Sequence, residues 1–325
     1  MAHETIGLLY PGEMGTAIGE LLAAQGHTIV TTTKERSAAT RDRGARAGFE
    51  EVDSIDAVFA RSSMVWSFIH PGGALALADE CGRALARSSR AAGDRPIYID
   101  GNSIAPTTAG QIAEALWSHP VDFVDASIHG DAGRLRERSV LYLSGALAKS
   151  VATPFADAMR IRILGEDPTA ASRFKMTIAG VSKGASALLM EVASFAAQQG
   201  VLDAWLDDCR HFYPELMGTM ETMLPTYARH AGRRSAELED MVQTMLGSGV
   251  TPGLLSGAQQ LVARLAALDG DAALEAAKRP GTTLDEFLAA LGDAFGRTDS
   301  TDSSTTPENT PSMTREERPD GSPKS

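Results

Sequence analysis

The stretch TIGLLYPGEMG at residues 5–15 joins a short apolar run to the beginning of an amphipathic one. Residues 5–10 predict a strand, and residues 16–25 predict a helix with its apolar side chains on one face. Gly12 and Gly15 stand in the turn between them. Glycines in such a turn let the backbone approach a phosphate and let the helix pack closely on the strand. The stretch therefore predicts a strand–turn–helix unit that can receive a phosphate.

This turn is the strongest chemical signal in the chain. In the pattern G-x-G-x-x-G, glycines and a helix amino terminus together bind a dinucleotide pyrophosphate. Here Tyr10 replaces the first glycine, so the pattern is incomplete, and a tight turn without a ligand is the alternative. The position of the turn in the first strand–helix unit favours the dinucleotide. The residues predicted to hold it are Pro11, Gly12, Glu13, Met14 and Gly15.

The first half of the chain alternates short apolar runs with longer amphipathic ones. Helices are predicted at residues 74–87 and 107–117. Further strands are predicted at residues 27–32, 64–69, 97–100, 121–126 and 140–144. Strands that alternate with helices of this length are typical of a parallel sheet covered by helices on both faces. We therefore predict an α/β fold that begins with a Rossmann-type doubly wound sheet.

The pattern changes after residue 165. Apolar residues recur at helical spacing through residues 169–199, and other helical segments follow. Residues 297–325 contain sixteen Ser, Thr or Pro among 29 residues, which predicts a disordered tail. The predicted division is a dinucleotide-binding domain at residues 1–165, an all-helical substrate and dimerisation domain at residues 166–296, and the tail.

Composition limits the classes of function. The 325 residues carry a formal net charge of −12, with 43% hydrophobic and 22% charged residues, which is typical of a soluble globular protein. The negative charge argues against general nucleic-acid binding, which needs a basic surface. The longest uncharged apolar stretch, at residues 64–78, is too short and too interrupted to span a bilayer. We expect a cytoplasmic protein with no membrane partner and, from its two distant cysteines, no metal site.

The segment after the second predicted strand bears on the choice of nucleotide. An acidic residue there would bind the ribose 2′-hydroxyl of NAD, whereas hydroxyl and basic side chains suit the 2′-phosphate of NADP. The run from Lys34 to Arg46 has five basic and two acidic residues. Lys34 and Arg36 are the predicted phosphate ligands, while Glu35 favours NAD. We predict NADP and keep NAD as the alternative.

Four segments, in order along the chain, resemble the β-hydroxyacid dehydrogenase family, which includes 3-hydroxyisobutyrate and 6-phosphogluconate dehydrogenases and, more distantly, imine reductases. Residues 11–15 are similar to its G-x-G-x-M-G turn. Residues 99–106, IDGNSIAP, resemble its D-x-S-T-x-x-P motif, and residues 123–130, FVDASIHG, resemble its D-A-P-V-S-G segment. Lys175 lies where the family has its catalytic lysine. The resemblance implies a nicotinamide-dependent oxidoreductase.

The strand ends and the resemblance together give the remaining site residues. Open parallel sheets bind ligands at the carboxyl ends of their strands. Ile69 and Asn102 lie at two such ends and are predicted to contact the cofactor. Lys175 is predicted to be the general acid/base, with a solvated lysine as the alternative. The predicted substrate-binding residues are Ser103, His129 and Gly130.

Two departures from the family bear on the substrate. His129 stands where the family usually has serine, and a plain loop histidine is the alternative interpretation. Ala179 stands where the family has an asparagine, four residues after the catalytic lysine. That asparagine normally helps to hold the substrate, so its absence argues against the usual short 3-hydroxy acids.

The sequence thus predicts an NADP-dependent oxidoreductase. It would transfer a hydride between the nicotinamide and a hydroxy or carbonyl carbon of a small, anionic substrate. The alternatives are an imine (C=N) reductase of the same fold and a non-catalytic nucleotide-binding protein. Imine reductases usually have Asp or Tyr at the place of Lys175. A homodimer is expected because the long helix is apolar around more than one face.

Overall fold

A computed structural model describes residues 3–87, 94–155 and 158–302 of the chain. The chain divides into two compact units. The first unit runs up to Ala185 and includes Ser235–Gln260. The second comprises Ser186–Arg234 and the chain from Leu261 onwards. The sheet and the candidate active site both belong to the first unit.

Eight strands of the first unit form one sheet in the order β3-β2-β1-β4-β5-β6-β7-β8. The strands are β1 (Thr5–Leu9), β2 (Thr28–Thr31), β3 (Glu50–Glu51), β4 (Met64–Ser67), β5 (Ile97–Asp100), β6 (Asp122–His129), β7 (Val140–Ser144) and β8 (Arg160–Ile163). The order reverses between β1 and β4, as it does in doubly wound sheets. This confirms the predicted Rossmann-type fold, and β3 and β8 are strands that the sequence patterns did not reveal.

Helices make up most of the remaining structure. The first seven are α1 (Glu13–Ala23), α2 (Ala38–Arg46), α3 (Ile55–Arg61), α4 (Ala74–Arg87), α5 (Pro106–Leu116), α6 (Leu135–Arg138) and α7 (Ala148–Ala152). The other seven are α8 (Ala170–Gln198), α9 (Leu202–Phe212), α10 (Pro214–Met223), α11 (Tyr227–Gly247), α12 (Gly253–Ala267), α13 (Ala272–Ala276) and α14 (Leu284–Asp302). No strand follows β8 within the described residues, in agreement with the predicted helical second half.

The sheet departs from the predicted parallel arrangement at one place. Strands β6 and β7 are antiparallel, whereas every other neighbouring pair is parallel. The physical reason is the connection between them, residues 130–139, which contains only a 3₁₀ turn (Ala132–Arg134) and the four-residue helix α6. A parallel connection needs a crossover of a dozen or more residues, so this short segment turns the chain back on itself.

Side chains from the sheet alternate between two buried cores. On β1, Ile6 and Leu8 belong to the core that includes α1, whereas Leu9 belongs to the core beneath α3, α4 and α5. On β4, Trp66 and Val65 divide in the same way. Apolar residues at consecutive strand positions are expected where both faces of a sheet are covered. The cores fix the strand ends where the candidate site lies.

Two long helices bear on earlier predictions. Helix α8 is the only described helix that is long and apolar enough to cross a membrane by length and composition, and 39% of its most apolar window is buried. A core helix of a soluble protein can have the same composition, so this is weak evidence for a membrane span. Helix α14 continues to Asp302, past the predicted start of the tail at residue 297. The tail beyond residue 302 lies outside the described residues.

Candidate active site

The turn between β1 and α1 has the geometry of a phosphate cradle. Gly12 caps α1 without a side-chain hydrogen bond, so the first amides of the helix have no side-chain acceptor there. A Cβ atom on Gly12 would meet nothing within 4 Å, whereas a Cβ on Gly15 would lie 2.3 Å from the Tyr10 carbonyl oxygen. Gly15 is therefore required by close packing, and Gly12 leaves open space. Both features suit a pyrophosphate at the helix amino terminus.

The other residues of the predicted cradle lie in the same turn. Pro11 is buried and contacts α2, since a Cβ on Gly44 would lie 3.3 Å from its ring. Met14 packs against the core on the α1 side, and Glu13 is exposed in the first turn of the helix. The turn is joined to β4 by a hydrogen bond from the Tyr10 amide to the Phe68 carbonyl, 3.1 Å. This places the cradle at the point where the strand order reverses, where such sheets bind ligands.

A cavity of about 240 Å³ lies beside the end of β2. Its lining includes Tyr10, Thr32, Lys34 and Arg36. The Arg36 guanidinium carbon lies 3.9 Å from the centre of the Tyr10 ring, and its Nη2 atom donates to the phenol oxygen at 3.2 Å. Burial raises the pKa of Tyr10 and outweighs the opposing effect of Arg36, so the phenol is protonated. The structure thus brings both predicted phosphate ligands to one cavity.

The same cavity also carries acidic side chains. Its lining includes Glu35, Asp53, Asp56 and Glu80. Asp56 pairs with Arg87 at 3.1 Å. Neither Lys34 nor Arg36 forms an ion pair within the described part of the chain. The two predicted ligands are therefore available to an anion, although the surrounding charge is mixed.

Asn102 ties the end of β5 to the end of β4. Its side-chain oxygen accepts from the Ile69 amide at 2.5 Å, and its Nδ2 donates to the Ser67 hydroxyl at 3.0 Å and to Asp100 at 2.9 Å. The residue is only 3% exposed. Asn102 is a predicted cofactor contact, but both polar atoms of its side chain thus form hydrogen bonds within the protein. Asn102 and Ile69 shape the wall of the crevice together.

The structure brings Lys175 directly to a predicted substrate residue. The Lys175 Nζ atom donates to the Ser103 hydroxyl at 3.0 Å, across 72 positions of sequence. Ser103 is exposed at the carboxyl end of β5, and Lys175 is half-buried on α8. The amine therefore lies at the ligand-binding edge of the sheet.

Buried groups on two neighbouring strands, Asp125 within β6 and Ser144 at the end of β7, fix the beginning of α8. The Asp125 carboxylate accepts from the Ser172 amide at 2.8 Å and from its hydroxyl at 2.7 Å. The neighbouring Ser144 hydroxyl accepts from the Ala171 amide at 2.9 Å. A carboxylate at a helix amino terminus satisfies amides that lack helical partners and is favoured by the helix dipole. These contacts hold Lys175 in place, because it lies one turn further along the same helix.

His129 is the last residue of β6 and is half-buried. Burial lowers its pKa, and the nearby charges of Lys175 and Lys183 lower the pKa further. The imidazole is therefore neutral near pH 7, and one ring nitrogen can donate while the other accepts. Gly130 follows with a φ of +135°, and a Cβ there would lie 2.1 Å from the Ser139 hydroxyl. The close approach of the returning strand requires this glycine.

Two buried carboxylates were not singled out by the sequence reasoning. Burial raises the pKa of Asp100 to about 7, against the hydrogen bonds from Asn102 that lower it. Burial also raises the pKa of Asp125 to about 6, against the hydrogen bonds from Ser172. Their positions in two apolar strands, Asp100 at the end of β5 and Asp125 within β6, were the available signal. Among the described residues, no three His, Cys, Asp or Glu side chains are grouped so as to hold a metal ion.

The raised pKa of Asp100 predicts a pH-dependent stability. Between its ordinary value near 4 and about 7, the folded protein binds one more proton than the unfolded chain, so stability falls as pH rises through this window and levels off above it. We expect Asp100→Asn to reduce the slope of the unfolding free energy between pH 5.5 and 7 by up to about 1.4 kcal/mol per pH unit. Urea unfolding at several pH values measures the slope.

The exposed residue Asp203 provides the control for that experiment. Asp203→Asn removes the same charge from the surface and should leave the slope unchanged. An equal slope in Asp100→Asn and the unmutated protein would contradict the assigned protonation of Asp100.

Two family models match the chain. The NAD binding domain of 6-phosphogluconate dehydrogenase matches residues 5–155, which contain the cradle, the cavity beside the end of β2 and the ends of β4, β5 and β6. A domain of unknown function (DUF1932) matches residues 196–265 in the helical part. The dinucleotide-binding character of the first segment, predicted from the turn, is thereby confirmed.

Solved structures share the fold over most of the chain. A conserved protein of unknown function, reported as structurally similar to 3-hydroxyacid dehydrogenases, is 26% identical, with a TM-score of 0.65 over 80% of this chain and 96% of that one. The Mycobacterium tuberculosis 3-hydroxyisobutyrate dehydrogenase is 18% identical, with a TM-score of 0.67 over 90% and 99%. A reductive aminase from Aspergillus terreus, solved with NADPH and ethyl levulinate, is 17% identical, with a TM-score of 0.53 over 90% and 100%.

The cradle at the strand reversal, the lysine at the sheet edge and these similarities agree with one another. The fold is thus shared with hydroxyacid dehydrogenases, and the nucleotide-binding domain is of the same kind. Residues 5–155 thus match an NAD binding domain of the 6-phosphogluconate dehydrogenase kind, and the matches together support the β-hydroxyacid dehydrogenase family and an NAD(P)-dependent oxidoreductase.

Proposed function

We propose that the protein catalyses reversible hydride transfer between NADP(H) and a hydroxy or carbonyl carbon of a small anionic substrate. The observation that carries the proposal is the hydrogen bond between Lys175 and Ser103 at the carboxyl end of β5. Asn102, the neighbour of Ser103, bonds to the end of β4, which borders the phosphate cradle. A proton-carrying amine thus shares one sheet edge with the cofactor-binding turn.

The residues divide the work as follows. Gly12 to Gly15 hold the pyrophosphate, and the bound nicotinamide supplies or accepts the hydride. Lys175 exchanges a proton with the substrate oxygen as the carbonyl and hydroxyl forms interconvert, which is general acid–base catalysis. Ser103 orients the amine through its hydroxyl and is placed to hydrogen-bond the substrate. Neutral His129 provides a second hydrogen-bonding group for a substrate oxygen.

The charge around this site supports an anionic substrate. The ammonium groups of Lys175 and Lys183 both act on His129. Lys183 is partly balanced by Glu237, at 3.1 Å. A carboxylate or phosphate on the substrate would be attracted to these two positive charges, since cations in a partly buried site are stabilised by an opposite charge.

A turnover screen tests the function. Purified protein with NADPH or NADP⁺ should reduce or oxidise a member of a panel of hydroxy acids, oxo acids, aldehydes and ketones. The same panel with Lys175→Ala provides the background rate. Cofactor binding without turnover of any compound would instead favour a non-catalytic nucleotide-binding protein.

Imine reduction is the second candidate function. The shared fold with a reductive aminase solved with NADPH favours it, because that fold can support C=N chemistry. The lysine at position 175 favours the hydroxy/carbonyl reaction. Cyclic imines in the same screen decide between the two: faster turnover of an imine than of any oxo compound would assign the protein to C=N reduction.

The helical part supports a homodimer as the working assembly. Leu188, Val192 and Phe195 lie on one face of α8 at spacings of four and three residues, with exposed fractions of 61%, 37% and 63%. An apolar stripe of this kind is typical of a helix that packs against another protein surface. Light scattering at micromolar concentration should give twice the 34.3 kDa chain mass.

Glutamate substitutions on the apolar stripe of α8 test whether this stripe forms the dimer interface. Leu188→Glu with Phe195→Glu should shift the mass to that of one chain, because each glutamate would be buried without a partner in the interface. Trp117→Glu, at an 88% exposed residue elsewhere, should leave the dimer intact. A monomeric mass for the unmutated protein would contradict the assembly.

We propose a small-molecule substrate and a cytoplasmic location, with neither nucleic acid nor membrane as a partner. The net charge of −12 disfavours binding to polyanions. Both cysteines, Cys81 and Cys209, are buried and unbridged, which is compatible with a reducing compartment.

A further inference from the structure

We propose that Tyr10 is a specificity-determining residue that positions the Arg36 guanidinium to bind the 2′-phosphate of NADP(H). The inference rests on the proposed nicotinamide cofactor and assigns a role to the residue that replaces the first glycine of the phosphate-binding pattern. That replacement would otherwise count only as a defect of the pattern.

Two contacts join the side chains of Tyr10 and Arg36. The guanidinium carbon lies 3.9 Å from the ring centre, within the range of a cation–π interaction. The Nη2 atom also donates to the phenol oxygen at 3.2 Å. The ring face and the hydroxyl together define both the position and the plane of the guanidinium, which a single contact would not do.

The Tyr10 ring is itself held firmly. It is 6% exposed and belongs to the core cluster beneath α3 and α4 that also contains Ile55 and Ala84. Arg36 begins from a turn in which its amide donates to the Thr33 carbonyl at 2.9 Å. A long side chain anchored at both ends loses little further rotational freedom when it binds a ligand, and pre-organisation of this kind increases affinity.

The acidic lining of the cavity explains why such anchoring is needed. Glu35, Asp53 and Glu80 line the same cavity as Arg36. A freely rotating arginine among carboxylates would form an ion pair with one of them and would then not be available to bind a phosphate. Within the described residues, Arg36 forms no such pair and instead stacks on an uncharged ring. Guanidinium groups donate several hydrogen bonds in one plane, so further N–H groups remain for a phosphate.

A double-mutant cycle tests the proposal by direct binding. Dissociation constants for NADPH and NADH are measured from nicotinamide fluorescence, without turnover, for the unmutated protein, Tyr10→Phe, Tyr10→Leu and Arg36→Ala, and for each Tyr10 change combined with Arg36→Ala. Tyr10→Phe keeps the ring and removes the hydroxyl. Tyr10→Leu removes both contacts. Melting temperatures establish that each variant is folded.

We expect the Tyr10 variants to lose affinity for NADPH more than for NADH. Tyr10→Phe should weaken NADPH binding about 2–10-fold, the effect of one hydrogen bond, and Tyr10→Leu should weaken it about 10-fold or more. NADH binding should change less than about twofold in Tyr10→Phe, because NADH has no 2′-phosphate and therefore no contact with Arg36 that depends on one. In the Arg36→Ala background, both Tyr10 changes should have no further effect on the ratio of the two constants, since the position of Arg36 no longer matters.

Three results would overturn the inference. Equal losses of NADPH and NADH in the Tyr10 variants would show that Tyr10 supports only the shape of the turn. Additive losses in the double variants would show that Tyr10 acts independently of Arg36. An unchanged ratio of the two constants in both Tyr10→Phe and Tyr10→Leu would show that Tyr10 does not position Arg36. Failure of the unmutated protein to bind either nucleotide would instead contradict the proposed function itself.

Discussion

Replacing Lys175 with alanine should lower kcat about 10²–10⁴-fold, the range expected when a general acid/base is removed. The amine lies 3.0 Å from the Ser103 hydroxyl at the sheet edge, where the substrate oxygen would be. Affinity for NADPH should be almost unchanged, because the cradle and the cavity beside the end of β2 do not include Lys175. The pH–rate profile of the variant should lose one limb. Steady-state kinetics over a range of pH, with cofactor titration, measures all three.

The variant Lys175→Arg distinguishes a role of Lys175 in proton transfer from a role in binding an anionic substrate by charge. Lys175→Arg should not restore kcat, because a guanidinium group does not release its proton near neutral pH. If Lys175 only held an anionic substrate, arginine would restore most of the activity and the alanine defect would fall mainly on KM. Lys149→Ala, at an exposed lysine on α7, is the matched control and should have full activity.

Full activity in Lys175→Ala would contradict the assigned role of the lysine. The neutral imidazole of His129, whose pKa is lowered by the charge of Lys175, would then be the next group to test. His129→Asn, which retains hydrogen-bonding capacity without acid–base function, would decide whether the ring carries the proton.

Removing Lys34 and Arg36 together should reverse or abolish the preference for NADPH over NADH. Both residues line the cavity at the end of β2 and are without ion pairs in the described structure. Each charge-assisted contact with a 2′-phosphate contributes about 1.5–3 kcal/mol, so the double alanine variant should lose at least about 100-fold in NADPH affinity. NADH affinity should change much less. Fluorescence titration with the two nucleotides measures the difference.

Arg46 provides the control for this prediction. It belongs to the same basic run but does not line the cavity, and its Nε atom donates to the Asp42 carbonyl at 3.2 Å. Arg46→Ala should leave both affinities unchanged at moderate salt. Equal losses of NADPH and NADH in the Lys34/Arg36 variant would remove the argument for a 2′-phosphate site and favour NAD.

Local patterns predicted most of the nucleotide-binding fold. The residues of β5, β7 and α4 agree with the predicted ranges, and α8 differs from its prediction by one residue at each end. Such elements are strongly periodic or rich in β-branched residues, so their type depends on neighbouring residues in the chain. The two-residue strand β3 has no such pattern, because its Glu50 and Glu51 are exposed at the edge of the sheet.

Local sequence patterns do not predict contacts between residues that are distant in the chain. The resemblance suggested that Lys175 and Ser103 share a site, but only the structure shows their hydrogen bond. The support that Asp125 gives to α8 joins residues 47 positions apart, and no spacing rule relates them. In the sequence, Tyr10 stands only in the place of a glycine, whereas its contact with Arg36 depends on how β1 and the end of β2 lie side by side.

The sequence by itself determined that this chain begins with a strand–turn–helix unit for a dinucleotide, continues as an α/β sheet and ends in helices. These features follow from the order of apolar, glycine and charged residues, which act over a few positions. Only the tertiary structure decided that β6 and β7 run antiparallel, that Asn102 is used within the protein, and that burial raises the pKa of Asp100. Burial and long-range hydrogen bonds arise when strands distant in sequence become neighbours, and the energies of these groups are set by that environment.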